Sequence, residues 1–389
     1  MFHLEPAIKR VHKLVESDRH CPGAAIVASG FFCPFFIIEP NPCGTVPFMK
    51  RNVQGNKKVK TKAAELHEHP LAEMFVQLTP DQVLTAVEVG GRRCTGQFSI
   101  LNSFENRVYL LELEDGSSVV GKFYRPGRWS RETILEEHAF LHELCEAEIP
   151  ATAPIELEPG STLGEVKGIL YALFPRVRGR VPQEVNDEQV GILGRLLARL
   201  HNIGALRTAP SRLTLDPETY GKKNLEYLLS HDLIPKESRD SYTVSVNALL
   251  ERIRYHFLEI PIHRIHGDCH PGNLIWTSNG PAFLDFDDMA NGPAAQDVWM
   301  LIPSYDEEGR RQRELFVEAY NQFREFPRSW LRLVEPLRAL RFINYTTWIA
   351  KRWQDPAFPR TFSWFGTPQY WNREIIDLRE QIARIDYET

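Results

Sequence analysis

The residues His266-Gly267-Asp268-Cys269-His270-Pro271-Gly272-Asn273 are followed, twelve positions after that Asn, by Asp285-Phe286-Asp287. Between them lie Leu274-Ile275-Trp276, the polar run Thr277-Ser278-Asn279-Gly280-Pro281, and Ala282-Phe283-Leu284, which read as two short apolar strands joined by an Asn-Gly turn. With Asn279 and Gly280 as a two-residue loop, Ser278 is expected to pair with Pro281, Leu274 with Asp285 and Asn273 with Phe286. Such a hairpin brings Asn273 beside Asp285. An amide oxygen and a carboxylate held together suit a hard cation such as magnesium, which prefers oxygen ligands and completes its shell with water and substrate phosphates. Asp268, five residues before Asn273 on the same loop, is then placed to accept the proton of an attacking hydroxyl. A base, a metal-binding amide and a metal-binding carboxylate in this arrangement imply phosphoryl transfer, where the protein mainly positions the nucleophile and neutralises developing charge.

Either piece alone carries little weight, since Asp-Phe-Asp is usually loop decoration and His-Gly-Asp is common; their combination across a predicted hairpin is far more specific. A transition-metal hydrolase is the sharper competitor, because His266, Asp268, Cys269 and His270 are all possible ligands. Against it, no second His-rich cluster lies nearby in the sequence, and Asn273 and Asp285 would have no role.

The 389 residues leave room for two or three domains, and 43% hydrophobic with 25% charged residues is an ordinary globular balance. A net charge of -5 gives no reason to expect nucleic acid or a membrane surface as partner. The six cysteines, at positions 21, 33, 43, 94, 145 and 269, follow no CxxC or paired spacing and read as reduced cytosolic thiols.

Residues 1–73 differ in character from the rest, with three of the cysteines, Pro22, Pro34, Pro40, Pro42 and Pro47, and the basic run Lys57-Lys58-Val59-Lys60-Thr61-Lys62. The apolar stretch Ala24 to Ile38 follows a basic N-terminus, as a signal or anchor would. It falls short of the ~20 residues that span a bilayer and is interrupted by Gly30 and Pro34. The expectation is a poorly ordered, removable extension, with a chain starting at Met74 folding unaided.

Beyond it, a short helix is predicted over Pro80 to Glu88 and strands over Phe98 to Leu101, Val108 to Leu113 and Val119 to Tyr124, the last two joined by Glu114-Asp115-Gly116-Ser117. Lys122 sits inside the third strand, on either its solvent face or its inner face. Ser130 caps a helix over Arg131 to Glu146, whose apolar stripe Ile134, Leu141 and Leu144 also carries Glu137. An inward carboxylate can meet an inward lysine. The loop Asn102-Ser103-Phe104-Glu105-Asn106-Arg107 stands where a phosphate-covering loop belongs, yet holds no glycine. After a strand over Ile169 to Phe174 and the connection Pro175 to Pro182, helices are predicted from Asn186 or Asp187 to near Gly204, and over Lys236 to Phe257, Arg310 to Phe326, Trp330 to Trp353 and Gln369 to Ile385. Arg338, Arg341, Lys351, Arg352 and Arg360, with Trp348, Trp353, Trp364 and Trp371, read as a basic and aromatic surface suited to a peptide, or as aromatic core with solvated arginines. A strand-rich first half and a helix-rich second half give an α+β, two-lobed fold.

The His-Gly-Asp-x-His-x-Gly-Asn loop with its following Asp-x-Asp resembles the aminoglycoside phosphotransferase and choline kinase superfamily, whose fold is protein-kinase-like. More narrowly, Leu101 to Tyr109, Lys122-Phe123-Tyr124-Arg125-Pro126, Ile134 to His138, Asp287-Asp288-Met289-Ala290-Asn291-Gly292-Pro293 and Arg352-Trp353-Gln354-Asp355-Pro356-Ala357-Phe358-Pro359 together resemble the bacterial stress-response kinase A family over about residues 76 to 385. The resemblance implies a small, mainly antiparallel N-lobe at 74–177 and a larger helical C-lobe at 178–389. It also implies Asp268 as catalytic base, Asp285 as a second catalytic residue that binds magnesium with Asn273, and Lys122, paired by Glu137, on the ATP phosphates with Ser103 in the loop above. The adenine is expected near Phe174 to Val177. Asp297 reads either as an organiser of the catalytic loop or as a helix cap. The implied activity is cytoplasmic serine/threonine protein phosphorylation by a monomer, with another protein or the kinase itself as acceptor and no nucleic-acid or membrane partner. Small-molecule kinases of the superfamily share the phosphotransfer residues, so an amino-alcohol or sugar-like acceptor is the alternative, with a non-catalytic binding module behind it. Gly121, in a strand where a packed side chain is expected, and the foreign extension depart from the family pattern.

Overall fold

The computed structural model describes Phe75 and residues 78–388, apart from 102, 183 and 305. The extension at 1–73, with the Ala24 to Ile38 stretch, lies outside the described residues. Helix α1 (Pro80–Glu88) opens on a capping box in which Thr79 and Gln82 satisfy each other's backbone N–H. Strands β1 (Cys94–Leu101), β2 (Arg107–Leu113) and β3 (Ser118–Phe123) follow. After helix α2 (Arg131–Glu146) come β4 (Gly164–Val166) and β5 (Ile169–Pro175), completing an antiparallel sheet of order β1-β2-β3-β5-β4. The period of two divides β3 cleanly. Val119 and Phe123 join α1 and Tyr171 in one apolar core, while Lys122 faces the other way, into the molecule, and is 7% exposed. Gly121 sits among the rings of the first face: a Cβ there would come within 3.3 Å of both Leu111 and Phe123.

Beyond the connection 176–186 the chain turns helical. Helix α3 (Asp187–Gly204) starts at the Asn186/Gln189 capping box. A π-helical turn at Pro217–Lys222 leads into α4 (Lys223–Ser230), and α5 (Lys236–Ile253) ends in a 3-10 turn at Arg254–Phe257. The predicted single helix over Lys236 to Phe257 is thus two segments. Strands β6 (Ile262–Ile265), β7 (Leu274–Thr277), β8 (Gly280–Phe283) and β9 (Ala290–Pro293) form two small antiparallel pairs, β6 with β9 and β7 with β8. Then come α6 (Ala295–Leu301), α7 (Glu307–Tyr320), α8 (Val334–Lys351), α9 (Ala357–Thr361) and α10 (Pro368–Glu388). Helix α7 begins earlier than predicted because Asp306 caps it, accepting from Gly309 N at 2.7 Å. It stops earlier too, since the Asn321 side chain takes the Phe326 N–H at 2.6 Å. The predicted helix over Trp330 to Trp353 splits into a 3-10 turn at Arg328–Leu333 and α8.

The register of the hairpin is corrected. The hairpin β7–β8 closes on Thr277 and Gly280, and Leu274 pairs with Phe283, two residues short of the predicted register. The turn residues are Ser278 and Asn279, neither with positive φ; Gly280, at φ 106°, supplies its left-handed backbone just after the turn instead of within it. Thr277 Oγ1 secures this loop, accepting from Asn279 N at 3.0 Å and donating to Gly280 O at 2.8 Å. Of the two readings open for the arginines and tryptophans of residues 338–371, aromatic core packing is the one seen, with Lys351 and Arg360 exposed. Trp348 packs with Phe358 and Phe362, Trp371 is fully buried, and Arg338 is 0% exposed over the Trp299 ring. Aromatic packing at helical spacing explains these side chains.

The α+β, two-lobed architecture is therefore present, and the loop that joins β8 to β9 lies against the inner face of the sheet, where Asp285 and Asp287 meet Lys122. No helix among the described residues is long and apolar enough to cross a membrane, and Cys94, Cys145 and Cys269 are free thiols.

Candidate active site

The pairing of Ile265 with Ala290 anchors both ends of the segment that carries His266 to Asp288. At the first corner Gly267 takes φ 84°, and a Cβ there would lie 2.2 Å from the Asp288 carbonyl. Only glycine fits. Asp297, in the first turn of α6, accepts from His266 N at 2.8 Å and Gly267 N at 2.9 Å, and pairs with His201 Nε2 at 3.0 Å. Of the two readings open for Asp297, organiser of this loop is the one seen. Gln296 Nε2 adds a bond to Gly267 O at 3.0 Å. His266 is structural: its Nε2 bonds Leu284 O at 2.9 Å and its ring lies 4.3 Å from that of Phe286. Cys269 is buried in the apolar core of the helical lobe. Two of the four ligands that a hydrolase reading needs are thereby engaged elsewhere.

Asp268 is 6% exposed. Its Oδ1 accepts from Arg341 Nη2 of α8 at 2.9 Å, and its Oδ2 lies 3.5 Å from His270 Nε2. Burial alone would raise its pKa, but Arg341 and His270 together hold it well below the usual carboxylate range. The carboxylate is ionised at neutral pH. Asn273 Nδ2 donates to Asp268 O at 2.9 Å, which fixes the amide by its nitrogen and leaves Oδ1 buried without a hydrogen-bond partner. A buried acceptor left over in this way suits a hard cation.

Leu284 N donates to Asn273 O at 2.9 Å, so Asp285 follows directly on the residue paired with Asn273, despite the shifted register. Asp285 has φ 57°, a left-handed conformation uncommon outside glycine and Asn/Asp, and one that tends to mark functional sites. Its Oδ1 accepts from Lys122 Nζ at 3.1 Å; Lys122 also reaches Glu137 at 3.4 Å and Asp287 at 3.2 Å. Burial pulls the lysine pKa down, yet Asp287, Glu137 and Asp285 outweigh it and hold Lys122 well above its ordinary value. Glu137 is shared with Arg212 Nη2 at 3.0 Å. The structure thus joins Lys122, Glu137 and Asp285, and separately Asp268 and Asn273. Ser103 is engaged within its own loop, where its Oγ accepts from Asn106 N at 3.1 Å.

Sequence reasoning missed Asp287 as a partner of Lys122, and also Arg128, Arg212 and Arg341. Arg128 bonds Asp287 and Asp288. Asp287 had a signal, its place two residues after Asp285. The arginines had none, being 73 to 160 residues from their partners. Above the carboxylates an apolar cleft is lined by Leu101, Val108, Leu110, Val120, Phe174 and Leu284, with Pro175 to Val177 at its edge. Its apolar walls and the Lys122 cation among its lining can take a base and a polyphosphate.

A family model described as the phosphotransferase enzyme family matches residues 98–334. The protein named stress response kinase A in Escherichia coli (strain K12) is 39% identical over 308 residues, which are 79% of this chain and 93% of that relative. One from Salmonella typhimurium, named serine/threonine protein kinase RdoA, is 39% identical over 311 residues with the same coverage. Among solved structures, amicoumacin kinase hAmiN in complex with AMP-PNP, Ca2+ and Ami has a TM-score of 0.63 at 20% identity, covering 79% of this chain and 95% of its own. The GDP and kanamycin complex of APH(2")-IIia has a TM-score of 0.54 at 16% identity, covering 77% and 97%. At such identities the likeness speaks for the fold, which is that of the aminoglycoside kinases.

Proposed function

The chain belongs to the stress response kinase A family within the phosphotransferase enzymes, and from that premise we propose that it is an ATP- and magnesium-dependent kinase of the cytoplasm that phosphorylates Ser or Thr hydroxyls of proteins, itself included. The observation that carries this reading is that two neighbouring loops, tied by the Ile265–Ala290 pairing and the Leu284–Asn273 hydrogen bond, carry a buried ionised Asp268, an Asn273 oxygen without a hydrogen-bond partner, and the Asp285 and Asp287 that share Lys122.

Asn273 and Asp285 would hold the magnesium, which supplies positive charge against phosphate oxygens when bound. Lys122, kept charged by its carboxylates, binds the ATP phosphates, and Glu137 fixes its direction. Ser103 belongs to the loop above them. Asp268 orients the acceptor hydroxyl and takes its proton as the oxygen bonds to the γ-phosphorus, while the bond from phosphorus to the β-phosphate bridging oxygen breaks and ADP leaves. Beside Asp268 the charges offset one another, Arg341 against Asp268 and Arg128 against Asp287 and Asp288. The protein acceptor is in keeping with the name of the Salmonella relative.

A second reading, a small-molecule kinase, draws on the small cavity beside Asp268 lined by Leu215, Tyr220, Asp288, Leu337, Arg341 and Asn344. The two separate in one assay. Labelled phosphate from ATP is expected on Ser or Thr of a protein acceptor or of the enzyme, with no stimulation by choline, homoserine or aminoglycosides. Saturable ATP consumption with one of those molecules and none with protein would give the site to the second reading.

A further inference from the structure

The segment Arg352 to Pro359 has no part in the chemistry above, yet it closes on the loop that the proposed function sets over the phosphates. Glu105 in that loop is 5% exposed. It accepts from Trp348 Nε1 at 2.7 Å and pairs with Arg352 Nε at 2.6 Å and Arg125 Nε at 3.2 Å, with Arg128 Nε 3.7 Å away. Arg125, just past the strand of Lys122, donates to the carbonyls of Phe104 and Glu105, both at 3.0 Å, and the Nη2 that reaches Phe104 also meets Asp355 at 2.9 Å. The Phe104 ring rests 5.8 Å from that of Phe362.

We propose that Trp348 to Phe362 is a strap between the lobes, and that Glu105, Trp348 and Arg352 are positioning residues for the ATP phosphates. Loops that cradle phosphate usually rely on glycines for close approach of backbone N–H groups; this one has none and carries a carboxylate that would repel a triphosphate. The strap answers both difficulties. It draws the Glu105 charge away into three guanidiniums and an indole N–H, and it fixes the loop from the helical lobe instead of by its own turn geometry. Arg128 extends the network to Asp287 and Asp288, so the loop and the carboxylates behind it are set by one connected group of charges. The network is buried, and salt screens it little.

The inference rests on the nucleotide reading of the cleft, and the test keeps the two apart. Affinities for ATP and for adenosine are measured by calorimetry with magnesium, alongside kcat and KM for ATP, in wild type, Arg352→Met, Arg352→Lys and Trp348→Phe. The methionine keeps the stem and loses the charge. It should weaken ATP about 10- to 100-fold through KM while adenosine binding stays within about twofold. Arg352→Lys should restore most of the loss, and Trp348→Phe, which keeps the ring and loses only the N–H, should weaken ATP by about three- to tenfold. Equal loss for ATP and adenosine, or no loss for either, in the presence of a wild type that binds ATP, overturns the strap alone. A wild type that binds neither nucleotide nor nucleoside overturns the cleft assignment and the strap with it.

Discussion

At the scale of single residues, the charges of the site are held in place by partners that are themselves buried, so each substitution has a distinct signature. Asp285→Ala removes a proposed metal ligand while leaving Asp287 to hold Lys122. Nucleotide affinity in that variant is expected to lose its dependence on magnesium, falling to the metal-free value of the wild type; titration of ATP with and without magnesium checks this, and an undiminished response to the metal would count against the role. Lys122→Met is expected to weaken ATP by about one to two orders of magnitude, the scale of a charge-assisted bond, and unchanged affinity would contradict it. Asp268, Asn273, Asp285, Lys122 and Glu137 were legible because each belongs to a local pattern: a loop motif, a strand, a helical stripe. Arg128, Arg212 and Arg341 were not. Their identity as partners depends on how distant segments meet, and an arginine in the sequence gives no sign of which carboxylate it will answer.

Between elements, the hairpin is instructive. Its existence and place were readable from the apolar runs and the Asn-Gly pair, but the register was not, because glycine serves equally at the second turn position and just after the turn. The two alternatives differ by two residues, so the same faces stay buried and the pattern cannot tell them apart. Gly267, where the catalytic loop passes Asp288, allows no such latitude. Gly267→Ala is expected to cost about 2–4 kcal/mol from positive φ and a backbone clash together, with loss of activity; urea denaturation reads it, and a cost below about 0.5 kcal/mol would contradict the geometry. Between α8 and α10, Glu374 is buried beside Thr346, whose Oγ1 lies 3.0 Å from Glu374 Oε2 and 2.7 Å from the Tyr370 hydroxyl. Burial pushes its carboxyl up to about 8. The folded state therefore holds a proton there that the unfolded chain releases above its ordinary pKa, and this contribution is complete below about pH 4 and lost as pH rises through 8. Relative to Glu374→Gln, the wild type should lose up to about 1.4 kcal/mol per pH unit between pH 5 and 8. Parallel melting curves for the two proteins across that range would contradict the buried proton.

For the whole molecule, the alternation of strands followed by amphipathic helices sufficed for an α+β, two-lobed chain, and the short elements were what it hid. The π-helical turn at Pro217–Lys222, β6, β9 and α6 are too brief to show a period, and tertiary partners set them. The strap was hidden for the same reason: Trp348 and Arg352 read either as surface or as aromatic core with solvated arginines, and neither reading points to Glu105, 243 residues from Trp348. Everything proposed for the molecule turns on one cleft transferring the γ-phosphate with Asp268 as base. The direct measurement is transfer of labelled phosphate from ATP, to a protein acceptor or to the chain itself, by wild type and Asp268→Asn, with ATP affinity determined on the same samples. The wild type should transfer label, and the variant should bind ATP within about threefold of it while turning over about two to four orders of magnitude more slowly. A variant that binds ATP and transfers label at the wild-type rate would contradict the assignment.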